Sequence, residues 1–448
     1  MAVARPASSS GGRAVMPARR ASSVPGRPRT AAGERESWGL RIGALQVPVS
    51  TVLLIVVALL CVIGLVMVGS ASSVVSISTY GSPWAIFIRE AMWMAVGVVA
   101  LGLAMRVDYR KLRGLSPALL LVGFGLLFVV LVPGLGMHVQ GSSRWVGFGQ
   151  FRLQPSEFMK LALAVFAAHF IARRLDEDAN DRRIIGPLLM ATGGACVLIL
   201  AQPDMGTAMV LGCIALALLF VSGVRLGPVM KVVAALVAIA LVVAVASPYR
   251  RARLLSFVDP SAHGSGSGYQ VVQSLIGLGS GHVFGSGLGG GQQQWGFLPN
   301  AHTDFIFSVI GEELGIVGAV LVLFLLGSLM WLGIRTATHA PDRFGGLLAV
   351  GLLSWIGAET VINVGAVVGV LPVTGIPLPF ISFGGSSLVI TMAAAGVLIN
   401  VARQGESVRT RAASSASASA SASASVSASA SAPATGRRPT VSSRGKGR

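Results

Sequence analysis

Acidic residues are scarce in this chain: Asp and Glu together number 17 among 448 residues, against 35 Lys and Arg, and charged residues of both signs make up only 12%. A water-facing globular protein carries about 25%, so composition excludes an ordinary soluble domain. The net charge of +18 does not indicate a nucleic-acid partner either. Its basic residues sit in two tails and in short connections between apolar blocks, the footprint of membrane topology and not of a DNA-binding face. Cysteine is nearly absent. Cys61, Cys196 and Cys213 lie in apolar stretches without metal-ligand spacing, which excludes a disulfide framework or a zinc site.

What is abundant is apolar residue, 53% of the chain. A bilayer core about 30 Å thick needs roughly 20 apolar residues per helix, and such blocks occur near 47–68, 86–106, 116–133, 157–173, 184–201, 205–223, 228–247, 305–334, 344–370 and 384–403. The expectation is an all-α integral membrane protein of about ten transmembrane helices, with a large extracytoplasmic loop, 248–304, between helices 7 and 8. The membrane domain covers 47–405. It is flanked by basic tails, 1–46 and 406–448, expected to be disordered. The second tail contains a Ser-Ala alternation over 413–432, whose one large apolar residue is Val426, so it cannot bury a core.

Lys and Arg fix the orientation. The first tail carries Arg5, Arg13, Arg19, Arg20, Arg27, Arg29, Arg35 and Arg41, and the connection 69–83 carries no charge. Arg106, Arg110, Lys111 and Arg113 follow the second span, Arg173, Arg174, Arg182 and Arg183 the fourth, and Arg335 and Arg343 the eighth, whereas 371–383 is uncharged. The alternation puts both termini in the cytoplasm. Arg19-Arg20 stands far ahead of a first block long enough to span, so it reads as part of a basic tail and not as an export signal. Two outer connections carry charge that topology does not require: 134–156, with Arg144 and Arg152, and 248–304, with Arg250, Arg251 and Arg253.

Polar groups at the membrane that topology does not need mark candidate chemistry, and four segments have them. In the first, Gly141-Ser142-Ser143-Arg144-Trp145 runs on to Gln154-Pro155-Ser156-Glu157 and Lys160. Pro155 suits the first turn of a helix, which sets Glu157 and Lys160 on one face at the membrane edge; Arg144 is a fork for a phosphate group. In the second, Gln202-Pro203-Asp204 is a tight reversal with Asp204 as a helix cap. The third comprises Tyr269-Gln270, Gln273-Ser274, a glycine-rich run over 277–291 and Ala301-His302-Thr303-Asp304-Phe305, followed by Glu312 and Glu313. Three carboxylates at the outer end of an apolar span are costly and read as a site. The fourth, Gly375 to Ser387, contains Ser382 and Ser386. Its Gly384-Gly385 pair either offers backbone N–H groups to an anion or forms a packing turn.

The strings QPSEFMKLAL, QPDMGTA, YQVVQSLIGLGSG, LPNAHTDFIFSVIGEELG and GIPLPFISFGGSSL, in this order, resemble the SEDS family of cell-wall polymerases over roughly residues 47–405. GSASSVVSISTYGSPWAIFIRE and VPGLG resemble its division branch more than its elongation branch. The resemblance implies a peptidoglycan glycosyltransferase that polymerises lipid II, the undecaprenyl-diphosphate-linked disaccharide-peptide, at the outer face of the cytoplasmic membrane and at the division septum. It implies a class B penicillin-binding protein transpeptidase and other division-complex membrane proteins as partners, and no nucleic acid. Asp304 matches the family's essential outer-loop aspartate, and Glu157 and Lys160 its polar helix pair. Asn300 and Gln294 depart from the Glu and Lys usual there.

On this reading Asp304 is the catalytic residue, either as the base that deprotonates the acceptor sugar hydroxyl or as ligand to a divalent cation, Mg or Mn. No organic cofactor is implied. Arg144, Trp145, Gln154, Glu157, Lys160, Gln270, Gln273, Ser274, His302, Thr303, Ser382 and Ser386 are the expected substrate-binding residues. Two rivals remain: a lipid II flippase, which would place its polar residues at mid-membrane depth, and a non-enzymatic division scaffold.

Overall fold

The computed structural model describes residues 40–42, 45–134, 136–139, 142–148, 151–177, 181–225, 227, 229–231, 233–234 and 267–430. Ten helices with assigned bounds lie among them: α1 Val49–Tyr80, α2 Ala85–Arg106, α3 Arg110–Leu131, α4 Pro155–Asp176, α5 Asp181–Ala201, α6 Met205–Val221, α7 Ser267–Ser280, α8 Ile306–Thr338, α9 Arg343–Val367 and α10 Ser386–Ala430. Seven are long and apolar enough to cross a membrane, and the chain is a multi-pass membrane protein. Of the other blocks expected to span, α4 is diluted by Glu157, Lys160, Arg173 and Arg174 and α6 has 17 residues. Most of the block near 228–247, residues Arg250 to Arg253, most of the first tail and residues 431–448 lie outside the described residues.

Burial sorts the helices into centre and rim. Of the apolar stretch of α10, 83% is buried inside the protein, against 22% for α2 and for α3. The latter present Val98, Val99, Leu121 and Phe128 outward, as lipid-facing helices do. At the centre α9 packs on α4, α6 and α8, while α2 lies along α10 and α3 along α4.

Four features differ from the sequence expectation. First, α1 runs 32 residues to Tyr80, so most of the uncharged connection 69–83 is helix. Its serines bond to their own turn, Ser73 Oγ to Ser70 O and Ser78 Oγ to Val75 O. Second, the connection after α3 contains a three-stranded antiparallel sheet, β3 Met137–Val139, β4 Ser142–Phe148 and β5 Phe151–Leu153, and a small hairpin, β1 Leu40–Ile42 with β2 Leu45–Val47, precedes α1. Third, the loop before α8 holds α7. Fourth, α10 continues through the Ser-Ala alternation, as alanine's helix propensity permits.

The glycine-rich loop is joined to α8 through its backbone. Gly315 (φ 68°, ψ −165°) interrupts α8, so the helical bonds expected from Ile316 N to Glu312 O and from Val317 N to Glu313 O are not made. Instead Ser286 N donates to Glu312 O (2.9 Å) and Gly287 N to Glu313 O (3.0 Å), while Ile316 N donates to His282 O (3.0 Å) and Val317 N to Val283 O (3.2 Å). The loop supplies partners for these four groups, the condition under which a broken helix survives in a membrane. A Cβ on Gly285 (φ +79°) would lie 2.1 Å from Glu313 O.

Candidate active site

Helix α4 begins at Pro155, whose missing N–H costs nothing in a first turn. Three residues apart and on one face, Glu157 and Lys160 form an ion pair of 2.8 Å, as their spacing predicts. Both are buried, however, and do not lie at an exposed membrane edge. Lys160 also bonds to Glu359 of α9, and its Nζ lies 5.0 Å from the centre of the Trp355 ring. Charges this deep persist only when paired. Glu359 stands eight residues from the end of α9, about 12 Å along the helix. Ser387 Oγ donates to Glu157 Oε2 at 2.8 Å, which ties the cluster to the first turn of α10, directly after the segment 371–385.

That segment, 371–385, folds back into the protein and touches every other motif. Asn363 Nδ2 donates to Ile376 O (2.7 Å) and to Asp304 O (2.8 Å). Phe383 N donates to His302 O at 3.0 Å, and Ser382 Oγ accepts from Leu378 N at 2.8 Å. Ser386 Oγ accepts from Gln154 N at 3.2 Å. Gly64 of α1 permits the approach, since a Cβ there would be 2.5 Å from Phe380 O. Glu90, 2% exposed, lies against the backbone of Gly384 and Gly385. A buried carboxyl group of the protein itself thus faces this turn, which favours the packing reading.

The Gln202-Pro203-Asp204 reversal is structural, as the capping pattern predicts. Asp204 Oδ1 accepts from Thr207 N (3.1 Å) and Oδ2 from Thr207 Oγ1 (2.8 Å). Gln154 Nε2 reaches Ser156 Oγ (3.0 Å) and Asp204 Oδ2 (3.4 Å). Arg144, on β4, donates Nε to Gln202 O (3.1 Å) and Nη2 to Pro203 O, using two of its five N–H donors.

Among the three outer carboxylates of α8 and its approach, the expectation of a shared site fails for two. Glu312 accepts from Gln292 N (2.7 Å) and Gln293 N (3.2 Å). Glu313 accepts from Ser70 Oγ at 2.6 and 2.8 Å. Both fasten the glycine-rich loop and α1 to α8. Asp304 stands apart, one residue before the Phe305 cap of α8, half-buried and held through its own carbonyl by Asn363. Its Oδ2 faces Gly375, where a Cβ would lie 3.7 Å away.

Beside it His302 packs edge-on to Phe383 at 5.7 Å. Burial lowers the imidazole pKa to about 4, so the ring is neutral near pH 7, and its Nδ1 is buried without a hydrogen-bond partner among the described residues. Thr303 Oγ1 donates to Asn300 O at 3.1 Å. Asn300 adopts φ +59°, a left-handed conformation that Asn tolerates better than Glu.

Sequence motifs 144–160, 202–207, 301–305 and 375–387 therefore converge, and Glu359, Asn363 and Glu90 join them unannounced by any local pattern. Trp145 is half-buried on β4 opposite Met137. Ser274 is buried, donating to Val367 O, while its carbonyl accepts from Ser308 Oγ at 2.7 Å. Gln270 and Gln273 lie half-buried on α7, with no described hydrogen bond to the Asp304 segment. No three His, Cys, Asp or Glu side chains cluster as metal ligands among the described residues.

Residues 50–407 match the family model for FtsW, RodA and SpoVE, described as cell cycle protein. The chain is similar to stage V sporulation protein E of Bacillus subtilis, 42% identical over 353 residues that cover 78% of this chain and 96% of that protein. It is also similar to the probable peptidoglycan glycosyltransferase FtsW of Coxiella burnetii, 40% identical over 353 residues, 78% of this chain and 94% of that one. A solved structure described as structural coordination of polymerization and crosslinking by a peptidoglycan synthase complex superposes with a TM-score of 0.63 at 30% identity, covering 79% of this chain and 97% of that chain.

Proposed function

The chain belongs to the FtsW/RodA/SpoVE family, and on that premise we propose that it is a peptidoglycan glycosyltransferase that polymerises lipid II at the outer face of the cytoplasmic membrane during septal wall synthesis. Both termini are cytoplasmic, which puts the Arg106, Arg173 and Arg335 end of the bundle inside and Asp304 outside. The observation that carries the reading is the position of Asp304, which faces the inward-folded 371–385 segment at the meeting point of four motifs, while Glu312 and Glu313 clasp the glycine-rich loop and α1 to α8.

Asp304 is the general base. The acceptor sugar hydroxyl attacks the anomeric carbon of the donor and passes its proton to the carboxylate as the glycosidic bond forms. The bond to the polyprenyl diphosphate breaks in the same step, and the leaving group takes its electron pair. Arg144, oriented by the Gln202 and Pro203 carbonyls, has three donors left for that developing charge. Neutral His302, Thr303, Ser382, Ser386 and Gln154 line the approach, while Trp145, Gln270, Gln273 and Ser274 stand further from the converging motifs. Lys160 and Glu157 hold α4 to α9 beneath the site, so their part in substrate binding is positional. No protein cage for Mg or Mn forms among the described residues. A divalent cation would have Asp304 as its protein ligand, shared with diphosphate oxygens, and no step here runs through it.

The lipid tail of the substrate suits a groove between spans, with the sugars in water. A class B penicillin-binding protein fits as the crosslinking partner, alongside other division-complex membrane proteins. The buried Glu157–Lys160–Glu359 cluster is the one observation that favours a flippase, but its depth of about 12 Å from the end of α9 keeps it in the outer half.

Polymerisation of labelled lipid II by the chain with its transpeptidase partner tests the proposal. Asp304→Ala and Asp304→Asn, at matched folding and complex formation, are expected to abolish glycan product while lipid II still binds. Undiminished product would remove Asp304 from the chemistry, and translocation of lipid II without polymerisation by the native pair would favour the flippase.

A further inference from the structure

At the end of the bundle opposite Asp304, a cavity of about 420 Å³ opens between the ends of α2 and α10, lined by Met105, Arg106, Asn400, Arg403, Gln404 and Ser407. Several basic residues of this end are paired. Arg110 pairs with Asp342 (2.9 Å), Arg343 with Asp176 (3.1 Å), and Arg173 and Arg174 with Glu177 (2.9 and 3.1 Å). Arg106 and Arg403 are exposed at the cavity, and neither side chain forms an ion pair among the described residues.

The other lining donors are spent. Asn400, 4% exposed, directs Nδ2 to the carbonyls of Ala104 (3.2 Å), Met105 (2.8 Å) and Val107 (2.8 Å). It thereby covers the carbonyl end of α2, whose partial negative charge would otherwise repel an anion. Gln404 Nε2 donates to Asn400 Oδ1 and to Asp108 Oδ1, both at 2.9 Å, and Ser407 Oγ donates to Gln404 O. Asp108 is the nearest carboxylate in this network and opposes an anion. That oxygen also accepts from Arg110 N at 3.0 Å, and two guanidinium groups outweigh it. Buried positions of α10 end at Gly405 and those of α2 at Leu101, so the cavity lies at the level where the apolar spans give way to charge.

We propose that this cavity binds the phosphate headgroup of an anionic phospholipid of the inner leaflet, with Arg106 and Arg403 as the phosphate donors. Guanidinium groups form bidentate bonds to phosphate oxygens, and basic pockets between spans on the cytoplasmic side suit such headgroups. Met105 faces the glycerol and upper acyl carbons. The site is independent of the outer chemistry and adds a lipid ligand to it.

Thermal unfolding of the purified full chain in neutral detergent, titrated with dioctanoyl phosphatidylglycerol, dioctanoyl phosphatidylcholine or inorganic phosphate, tests this. Phosphatidylglycerol is expected to raise the midpoint saturably and phosphatidylcholine to leave it unchanged. Arg106→Ala/Arg403→Ala should weaken the apparent affinity at least tenfold, and Arg173→Ala, at the same end but paired with Glu177, should not. Ser407→Glu places a carboxylate at the rim without removing a donor and should give the same loss, which separates binding from any folding defect of the double variant. Equal response to phosphatidylcholine, or full affinity in both the double variant and Ser407→Glu, would overturn the proposal. Inorganic phosphate matching phosphatidylglycerol at equal concentration would overturn the lipid assignment in favour of a free anion.

Discussion

Lys160→Met removes the only cation from the buried cluster and leaves Glu157 and Glu359 facing one another. The lysine is 1% exposed. The substitution deletes two charge-assisted bonds and the contact with the Trp355 ring, while methionine keeps most of the volume. Breaking a buried ion pair by removal of one partner costs about 3–5 kcal/mol. At about 2.1 cal/mol/K of unfolding entropy per residue, a chain of 448 residues shifts by about 1 °C per kcal/mol, so the unfolding midpoint should fall by roughly 3–5 °C. The cost arises from stranded charge, so Glu157→Gln/Lys160→Met/Glu359→Gln, which removes every charge at similar volume, should recover most of it. Midpoints read by size exclusion after heating in a fixed detergent give the comparison. A single variant as stable as the parent, or a triple variant no better than the single one, would refute the account of the cluster as a neutralised lock between α4 and α9.

Glu312→Ala should strip the buried N–H of Gln293 and the part-buried N–H of Gln292 of their acceptor, costing about 1–3 kcal/mol and admitting protease cleavage within 286–295, with Glu312→Gln intermediate; resistance equal to the parent would contradict the clasp. Gly285→Ala, at φ +79° and 2.1 Å from Glu313 O, should dislodge the loop and abolish polymerisation without displacing α9 and α10, as measured by glycan synthesis and by new cysteine labelling at position 288. His302, with a folded pKa lowered to about 4 against about 6.5 unfolded, contributes stability that is complete above pH 6.5 and is lost as pH falls towards 4. His302→Gln should flatten midpoint against pH across that window, and an unchanged slope would contradict burial of the ring.

Local pattern revealed some of these features and hid others for identifiable reasons. Pro155, Glu157 and Lys160 are legible because helical spacing alone brings them together, and Asp204 because a cap acts within four residues. Glu359 is 199 residues from Lys160 and sits in an apolar stretch with nothing nearby to announce a partner. Arg144 looked uncommitted because carbonyl acceptors such as those of Gln202 and Pro203 leave no mark in a sequence. Glu312 and Glu313 looked like a site because the cost of burying carboxylates is the same whether they serve catalysis or clasp a backbone. The serines at 70–80 read as a loop by composition, yet Ser73 and Ser78 bond within α1, Ser70 meets Glu313 and Ser76 reaches Ser82 O.

The exchange of backbone partners at Gly315 fixes how the outer region responds to load. Because residues 282–287 complete the hydrogen bonding of α8 on both sides of its break, the loop cannot be peeled away without baring two donors and two acceptors in an apolar setting. Asp304 directly precedes the short outer arm, 306–314, that this splice clamps. A protein that pushes on the glycine-rich loop therefore pushes on Asp304, the proposed base, through a lever whose fulcrum is Gly315.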